Sequence, residues 1–331
     1  MSRRSSALLA LAVLTFVAEA YGCSMGSTPS SRPYSGDAAS IFRSQSAGSW
    51  TLKAPMPSAR EALTAAVIDG TLYEVGGLNV DALNTVDAYN SATNTWAAKR
   101  HMPTPRYFLA SGVVNGILYT VGGFDNNVVV SSKVEAYDPA TDSWSTKASM
   151  PTPRAGLAVG VVSGILYAVG GVNRGFTPLN TVEAYDPSTN TWTTKASMPT
   201  ARAELGVGVV NGKLYALGGN NPSRLATVEE YDPATDSWST KKSMPTPRDG
   251  LAVAVMDDKI FALGGYACCQ ETHKFDAYDP ATDTWTTKAN ALANSAYTAV
   301  GVSSAGTRPV FYAAGGLDGA NYLTTVEAFS P

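Results

Sequence analysis

The sequence predicts an all-β fold built from six copies of one four-stranded unit. Its six tryptophans recur at intervals of 46 to 48 residues, and pairs of adjacent glycines keep the same interval. The 18 residues from Tyr137 to Arg154 are repeated from Tyr231 to Arg248 with one change, Lys242 in place of Ala148. Self-similarity of this period is typical of proteins whose repeated units stack to bury a shared core.

Each copy divides into four short β-strands. In the third copy the strands are expected at Leu157–Val162, Ile165–Val169, Thr181–Tyr185 and Thr191–Lys195. These runs are rich in β-branched residues and aromatics, and Ser-Gly, Gly-Gly and Asp-Pro pairs separate them. Such pairs are hairpin and turn signals. No helical period competes with this pattern.

The repeated residues resemble the kelch repeat, whose period is about 50. A tyrosine stands seven positions before each of five tryptophans, Trp96, Trp144, Trp192, Trp238 and Trp285. The glycine pairs are Gly76–Gly77, Gly122–Gly123, Gly170–Gly171, Gly218–Gly219, Gly264–Gly265 and Gly315–Gly316. The resemblance implies an exported bacterial kelch protein with a six-bladed β-propeller over residues 50–331. Trp50–Lys53 is expected to pair beside Thr325–Phe329, to complete the sixth blade and to close the ring.

The residues before the repeats predict export. Arg3–Arg4 and the apolar run Ala7–Ala18 are typical of a signal peptide over residues 1–22. Ala18-Glu19-Ala20 fits an ordinary cleavage site, whereas the four residues that end at Cys23 resemble a bacterial lipobox, with Cys23 as the lipidated residue. Residues 23–49 are rich in Ser, Gly and Pro and are expected to form a flexible linker. The protein is thus expected to be extracytoplasmic, either secreted, periplasmic or lipid-anchored through Cys23, with that anchor as the one membrane attachment considered.

Composition and motifs exclude several functions. The net charge is −3 with no basic block, so nucleic acid is not expected as a partner. The chain has two histidines and no recognisable nucleophile motif or phosphate loop, so neither a catalytic residue, a cofactor nor a metal is predicted. Cys268 and Cys269 lie beside His273, at a spacing that matches no standard metal site. In an exported chain they are candidates for a disulfide with each other.

The loops that vary between copies predict where a site would be built. The loops that follow the glycine pairs share one face of the ring, here called the variable face, with the loops that lead into the next copy. The opposite face, here called the turn face, carries the nearly constant turns. Repeats need sameness for packing, so a ligand site is expected on the variable face.

Five copies place an arginine ten residues after the tryptophan, and the sixth has Ser295 there. The arginines are Arg60, Arg106, Arg154, Arg202 and Arg248. The kelch resemblance implies that such arginines surround the channel mouth and bind acidic peptides, as a guanidinium fork suits carboxylates. The alternative is a structural pair in each blade, because an acid recurs on the third strand. These acids are Asp87, Glu135, Glu183, Glu229, Asp276 and Glu327.

The residues just after the arginines differ between copies. The polar and aromatic members include Glu61, Tyr107, Phe108, Glu204, Asp249 and Tyr297. They are expected to place aromatics on one side of the channel and carboxylates on another. We therefore interpret the chain as a monomeric binding module for a protein or glycan ligand, with acidic groups favoured by the arginines. The alternative is a sugar mutarotase or epimerase of the sialic-acid-epimerase kelch type, with an acid or base beside an arginine.

Overall fold

The computed structural model describes residues 48–331 except 269, 294, 305 and 307. Six sheets, each of four antiparallel strands, are arranged as six blades. Within that range there is no helix, and so none that is long and apolar enough to cross a membrane. The signal peptide, residues 23–47 of the predicted linker, and Cys269 lie outside the described residues and stay predictions. Ser49, predicted as the last linker residue, instead begins a strand.

The strands of each blade run from the innermost to the outermost position. Blade 1 is Thr64–Ile68, Thr71–Val75, Val86–Asn90 and Thr95–Ala98; blade 2 is Ala110–Val114, Ile117–Val121, Val134–Asp138 and Ser143–Thr146. Blade 3 is Ala158–Val162, Ile165–Val169, Val182–Asp186 and Thr191–Thr194; blade 4 is Gly206–Val210, Lys213–Leu217, Val228–Asp232 and Ser237–Lys241. Blade 5 is Ala252–Met256, Lys259–Leu263, Phe275–Asp279 and Thr284–Thr287.

Blade 6 joins the two ends of the described chain. Its first three strands are Ala299–Ser303, Val310–Ala314 and Val326–Ser330, and its outermost strand is Ser49–Leu52. That strand is antiparallel to the third, with Trp50 opposite Phe329. The innermost strands of all six neighbouring blade pairs are in contact, including those of blades 6 and 1.

The apolar core lies between consecutive blades. One cluster joins Tyr119 and Val121 of blade 2 to Leu166 and Tyr185 of blade 3, and equivalent clusters occupy the other interfaces. Three two-stranded hairpins stand on the variable face, at Leu78–Asn79 with Asp81–Ala82, Tyr266–Ala267 with Gln270–Glu271, and Leu317–Asp318 with Asn321–Tyr322. The glycine pairs allow close packing beneath them: a Cβ on Gly122, whose φ is +66°, would lie 2.5 Å from Arg154 O.

Candidate functional site

The five repeated arginines are buried inside the blades. The guanidinium of Arg154 is fully buried, and its Nη2 lies 2.9 Å from Glu183 Oε2 in the same blade. Its Nη1 donates to the carbonyl of Thr181 at 2.8 Å. The same buried pair joins Arg60 to Asp87, Arg106 to Glu135, Arg202 to Glu229 and Arg248 to Asp276. The expectation that these arginines bind an acidic ligand is therefore corrected, because their side chains are enclosed by the blade and neutralised within it.

The sixth blade satisfies its acid without an arginine. Glu327 is buried, and its two carboxylate oxygens accept hydrogen bonds from the backbone N–H groups of Leu292, at 3.0 Å, and Ala293, at 2.9 Å. Ser295 stands in the place of the arginine. Two amide donors from the preceding loop thus replace the guanidinium, and the acid keeps a structural role in this blade also.

Six residues, one from each blade, form a ring at the channel mouth. These residues, here called the mouth ring, are Ala62, Phe108, Gly156, Glu204, Gly250 and Tyr297. Each donates its backbone N–H to the carbonyl of the mouth-ring residue in the preceding blade, at 2.8 to 3.1 Å. All six have positive φ, from 50° to 61°. Four of them are not glycine, so the closed hydrogen-bonded ring maintains a backbone conformation that such residues rarely adopt.

The mouth ring surrounds a cavity of about 120 Å³. Leu63, Leu109, Leu157, Leu205, Leu251 and Thr298 line it below the mouth ring. The large side chains of the mouth ring are Phe108, Glu204 and Tyr297, and all three are partly exposed. Two small members, Gly156 and Gly250, leave open space between them. A ligand group entering from the variable face meets this trio first and the apolar channel wall below it.

A polar network occupies one side of the mouth. Tyr297 Oη donates to Glu204 Oε2 at 3.0 Å. The Asn220 amide group donates to both Glu204 Oε2, at 3.2 Å, and Asp249 Oδ2, at 3.1 Å. Arg224 Nε donates to the other Asp249 oxygen at 2.9 Å, and its guanidinium lies 5.5 Å from the ring centre of Tyr266. Two carboxyls therefore share one amide donor, and one arginine neutralises part of their charge.

Aromatic side chains occupy the other side. Phe108 packs edge-on against Tyr297, with ring centres 4.9 Å apart, and reaches Phe124 at 6.3 Å. Phe124 contacts Phe176, whose ring is 48% exposed on the third variable loop. Tyr107 is buried under this group rather than presented to a ligand. The predicted division into an aromatic side and a carboxylate side is present in the structure.

Glu61 is a buried carboxyl next to the mouth ring. It is fully inaccessible, and neither oxygen has a hydrogen-bond partner. Burial, and next the charge of Glu271, raises the pKa of Glu61 to about 8. Its carboxyl also raises the pKa values of Glu204 and Tyr297, so it lies in the same electrostatic environment as the mouth.

The carboxyl pair at the mouth holds a proton at neutral pH. Burial, and next the neighbouring Asp249 carboxyl, raises the pKa of Glu204 to about 8. Burial also raises the pKa of Asp249, while Arg224 acts in the opposite direction. Two close carboxyls resist simultaneous ionisation, and Asp249 has the direct arginine partner. Glu204 is therefore the member of the pair that more readily holds a proton.

Two protein-family models match the repeated part of the chain. A family model described as the KLHDC2/KLHL20/DRC7 Kelch-repeats domain matches residues 34–171. A second, described as the Kelch motif, matches residues 153–199, 201–245 and 247–291. The chain belongs to the kelch-repeat proteins. No curated protein sequence matches it.

A solved structure has the same fold as this kelch propeller. The structure titled "Structure of YjhT" has a TM-score of 0.69 and 19% sequence identity to the chain, over 82% of this chain and 95% of that one. At this identity the likeness shows the fold alone. The predicted six-bladed kelch propeller is confirmed.

Reasoning from the sequence identified part of the site in this kelch propeller. Phe108, Glu204, Asp249 and Tyr297 lie together at the mouth, as predicted. Asn220, Arg224 and Tyr266 were missed, and the one available signal was their place in variable loops. Cys268 is exposed on the hairpin above Tyr266, and its carbonyl accepts a hydrogen bond from Arg224. No group of three or more potential metal ligands occurs in the described ranges.

Proposed function

We propose that this kelch propeller is an exported, lipid-anchored binding module whose protein or glycan ligand is bound at the channel mouth. The observation that carries the proposal is the asymmetric mouth, where Phe108, Glu204 and Tyr297 frame one cavity in an otherwise repetitive scaffold. A concave site with aromatic walls and a few convergent polar groups is the usual form of a ligand site. The buried arginines leave this trio and its neighbours as the groups available for recognition.

A matched pair of glycine variants tests the position of the site. Both Gly156 and Gly250 belong to the mouth ring, with φ of +61° and +58°. A Cβ at Gly250 would come within 2.5 Å of the Tyr297 ring, whereas one at Gly156 would meet Glu204 Cγ at an ordinary 3.5 Å. Gly250→Ala therefore displaces Tyr297, and Gly156→Ala imposes the same backbone strain without that clash.

The full chain and both variants are applied to a glycan array and a peptide array. We expect to find a ligand whose affinity for the Gly156→Ala variant is within about threefold of its affinity for the wild type. Its affinity for the Gly250→Ala variant should be at least about tenfold lower than for the wild type, which corresponds to about 1.4 kcal/mol. Equal binding by the wild type and the Gly250→Ala variant would place the site elsewhere.

One observation favours the second candidate, a sugar mutarotase or epimerase. Glu204 and Asp249 share the Asn220 donor but differ in their other partners, Tyr297 for Glu204 and Arg224 for Asp249, and two carboxyls in unequal environments are typical of acid–base pairs. In this mechanism protonated Glu204 donates to the ring oxygen of a sugar while Asp249 accepts the proton of the anomeric hydroxyl, so that the bond between C1 and the ring oxygen breaks and an open-chain carbonyl forms. Reclosure on the other face of that carbonyl, with both protons returned, gives the other anomer. Exchange between sugar anomers, followed by NMR, should be accelerated by the wild type and not by Glu204→Gln. Equal rates for these two proteins would exclude this role for Glu204.

A further inference from the structure

Acidic groups outnumber basic ones around the mouth. The carboxyl of Glu204 interacts electrostatically with those of Asp249 and Glu61, whereas Arg224 is the basic group that acts on Glu204 and Asp249. Arg224 already contacts Asp249 and the carbonyl of Cys268. The five repeated arginines add nothing here, because each is paired inside its own blade.

Glu61 is the carboxyl at which this excess of acidic groups is least compensated. A carboxyl with zero exposure and no hydrogen-bond donor at either oxygen is costly to bury as an anion, and native proteins rarely leave such a group without a partner. Its electrostatic neighbours at the mouth include Glu204, Tyr266 and Tyr297. A cation bound among these groups would stabilise their ionised carboxylates in place of the proton that burial favours.

The shape of the mouth suits a cation on an apolar stem. Tyr297 contacts the Glu204 carboxyl, and Phe108 packs against Tyr297 in the lining of the same cavity. Aromatic faces attract ammonium groups at about 0.5–2 kcal/mol each. The cavity of about 120 Å³ has room for one side chain, and its leucine wall offers apolar contact.

We infer that the ligand presents an alkylammonium group to the carboxyls at the mouth, from a lysine side chain or a free amino terminus of a partner protein. This inference rests on the proposed function and reverses the charge that the sequence pattern implied for the ligand. The Glu204 carboxylate contacts the cation, and the buried carboxyls of Asp249 and Glu61 act on it through space. The rings of Phe108 and Tyr297 flank the cation, and the stem lies against the apolar wall.

Short peptides test the charge of the ligand with the full chain. The probes are blocked Gly-Lys-Gly, the same peptide with norleucine or glutamate in place of lysine, and a Gly-Gly-Gly amide with a free amino terminus. By calorimetry near pH 8.5, we expect the lysine peptide to bind at least about tenfold more tightly than the norleucine peptide. Glutamate should bind most weakly. The free-terminus peptide competes best near pH 7.5, because its amine loses its proton above that pH.

The pH dependence identifies the carboxyl responsible. Affinity for the lysine peptide should rise at least about fivefold between pH 6 and pH 8.5, as Glu204 loses its proton in the field of Asp249, Glu61, Tyr297 and Arg224. Glu204→Gln should remove most of that rise. Glu230→Gln, a carboxyl paired with Lys213 and Lys241 on blade 4, is the control and should keep it.

The outcomes separate this inference from the proposed function. The cation inference is overturned if the norleucine or glutamate peptide binds as tightly as the lysine peptide. It is also overturned if the lysine peptide shows no detectable binding at about 10 mM. If an array ligand that is neutral or anionic loses affinity with Gly250→Ala, the mouth is a binding site and the cation inference alone fails. If no array ligand depends on Gly250, the proposed function itself fails.

Discussion

Arg154 and Glu183 show why a charged residue can recur for structural reasons. Both side chains are almost completely enclosed, and the guanidinium also donates to the backbone carbonyls of Thr181, at 2.8 Å, and Ala168, at 3.2 Å. One side chain thereby fastens the loop before the innermost strand to the second and third strands of the same blade. Loss of one member leaves the other as an unpaired buried charge.

Removing this arginine should destabilise the fold whether or not a ligand is present. We expect Arg154→Ala to reduce the free energy of unfolding by about 3–5 kcal/mol, because Glu183 is stranded without a counter-ion. The double variant Arg154→Ala with Glu183→Gln should recover part of the loss. Arg174→Ala, an exposed arginine on the loop of the same blade, is the control in chemical denaturation. An unchanged midpoint for Arg154→Ala would contradict the structural role.

Glu74 is a second buried carboxyl, on blade 1. Neither of its oxygens has a hydrogen-bond partner, and Arg60 lies 3.8 Å away but pairs more closely with Asp87. Burial raises the pKa of Glu74 to about 8, with Arg60 acting in the opposite direction. The folded state therefore binds this proton more tightly than the unfolded chain does.

The raised pKa of Glu74 predicts how stability changes with pH. The stability that the bound proton of Glu74 contributes to the fold is fully present below the unfolded pKa of about 4.5. This stability is lost as pH rises towards about 8, at up to about 1.4 kcal/mol per pH unit. Glu74→Gln should therefore gain stability relative to wild type as pH rises from 5 to 8, in denaturation curves at each pH. The control is Asp318→Asn, which removes an exposed carboxyl. Its free energy of unfolding should change with pH in the same way as that of the wild type. A constant difference between wild type and Glu74→Gln would refute the shift.

At the level of elements, the tryptophan of each outermost strand donates a hydrogen bond to the backbone of one residue that follows the outermost strand of the preceding blade. In blade 2, Trp144 Nε1 donates to the carbonyl of Arg100, and the N–H of Arg100 donates to Asp142 Oδ1, both at 2.9 Å. Tyr137 Oη donates to the same Asp142 oxygen. This explains why tyrosine, the turn acid or amide, and tryptophan keep a fixed spacing in the repeat.

Trp50 makes the corresponding contact from blade 6 to blade 5. Its Nε1 donates to the carbonyl of Ala289 at 2.8 Å, and its ring packs against Phe275, with ring centres 5.0 Å apart, and Phe329, at 5.4 Å. We expect Trp50→Ala to cost about 3–5 kcal/mol, measured by thermal or chemical unfolding. Leu52→Ala in the same strand is the control, since that side chain is 67% exposed. Equal effects of the two variants would show that the strand contributes little.

The sequence predicted elements well because their residues repeat, and it predicted the site less well for the same reason. Glycine pairs, turns and tryptophans recur in every copy, so their positions follow from alignment of the copies. The repeated arginine lies two residues before the mouth-ring position. That short distance separates a side chain enclosed in the blade from one facing the channel, and the pattern alone does not distinguish them. Asn220 and Arg224 contact Asp249 of the next blade, in loops that do not repeat.

On the scale of the whole molecule, the first described residues, Gly48 and Ser49, and the mouth lie on opposite faces. Ser49 pairs with Ser330 at the end of the third strand that carries the turns, and Leu52 pairs with Glu327 towards the variable face. The chain therefore enters blade 6 from the turn face. The ring is therefore joined to the preceding residues at the face opposite the mouth.

The predicted lipid anchor can be tested by mass and by access. The 24 residues between Cys23 and Gly48 span at most about 80 Å when fully extended, enough to separate the ring from a bilayer surface. We expect the mature chain to begin at a lipid-modified Cys23, to partition into detergent, and to lose both properties on Cys23→Ser. The array ligand should bind the anchored protein on intact vesicles as tightly as the Cys23→Ser protein in solution. An unmodified N-terminus at Tyr21 would instead show ordinary secretion, and weaker binding on vesicles would show that the membrane obstructs the mouth.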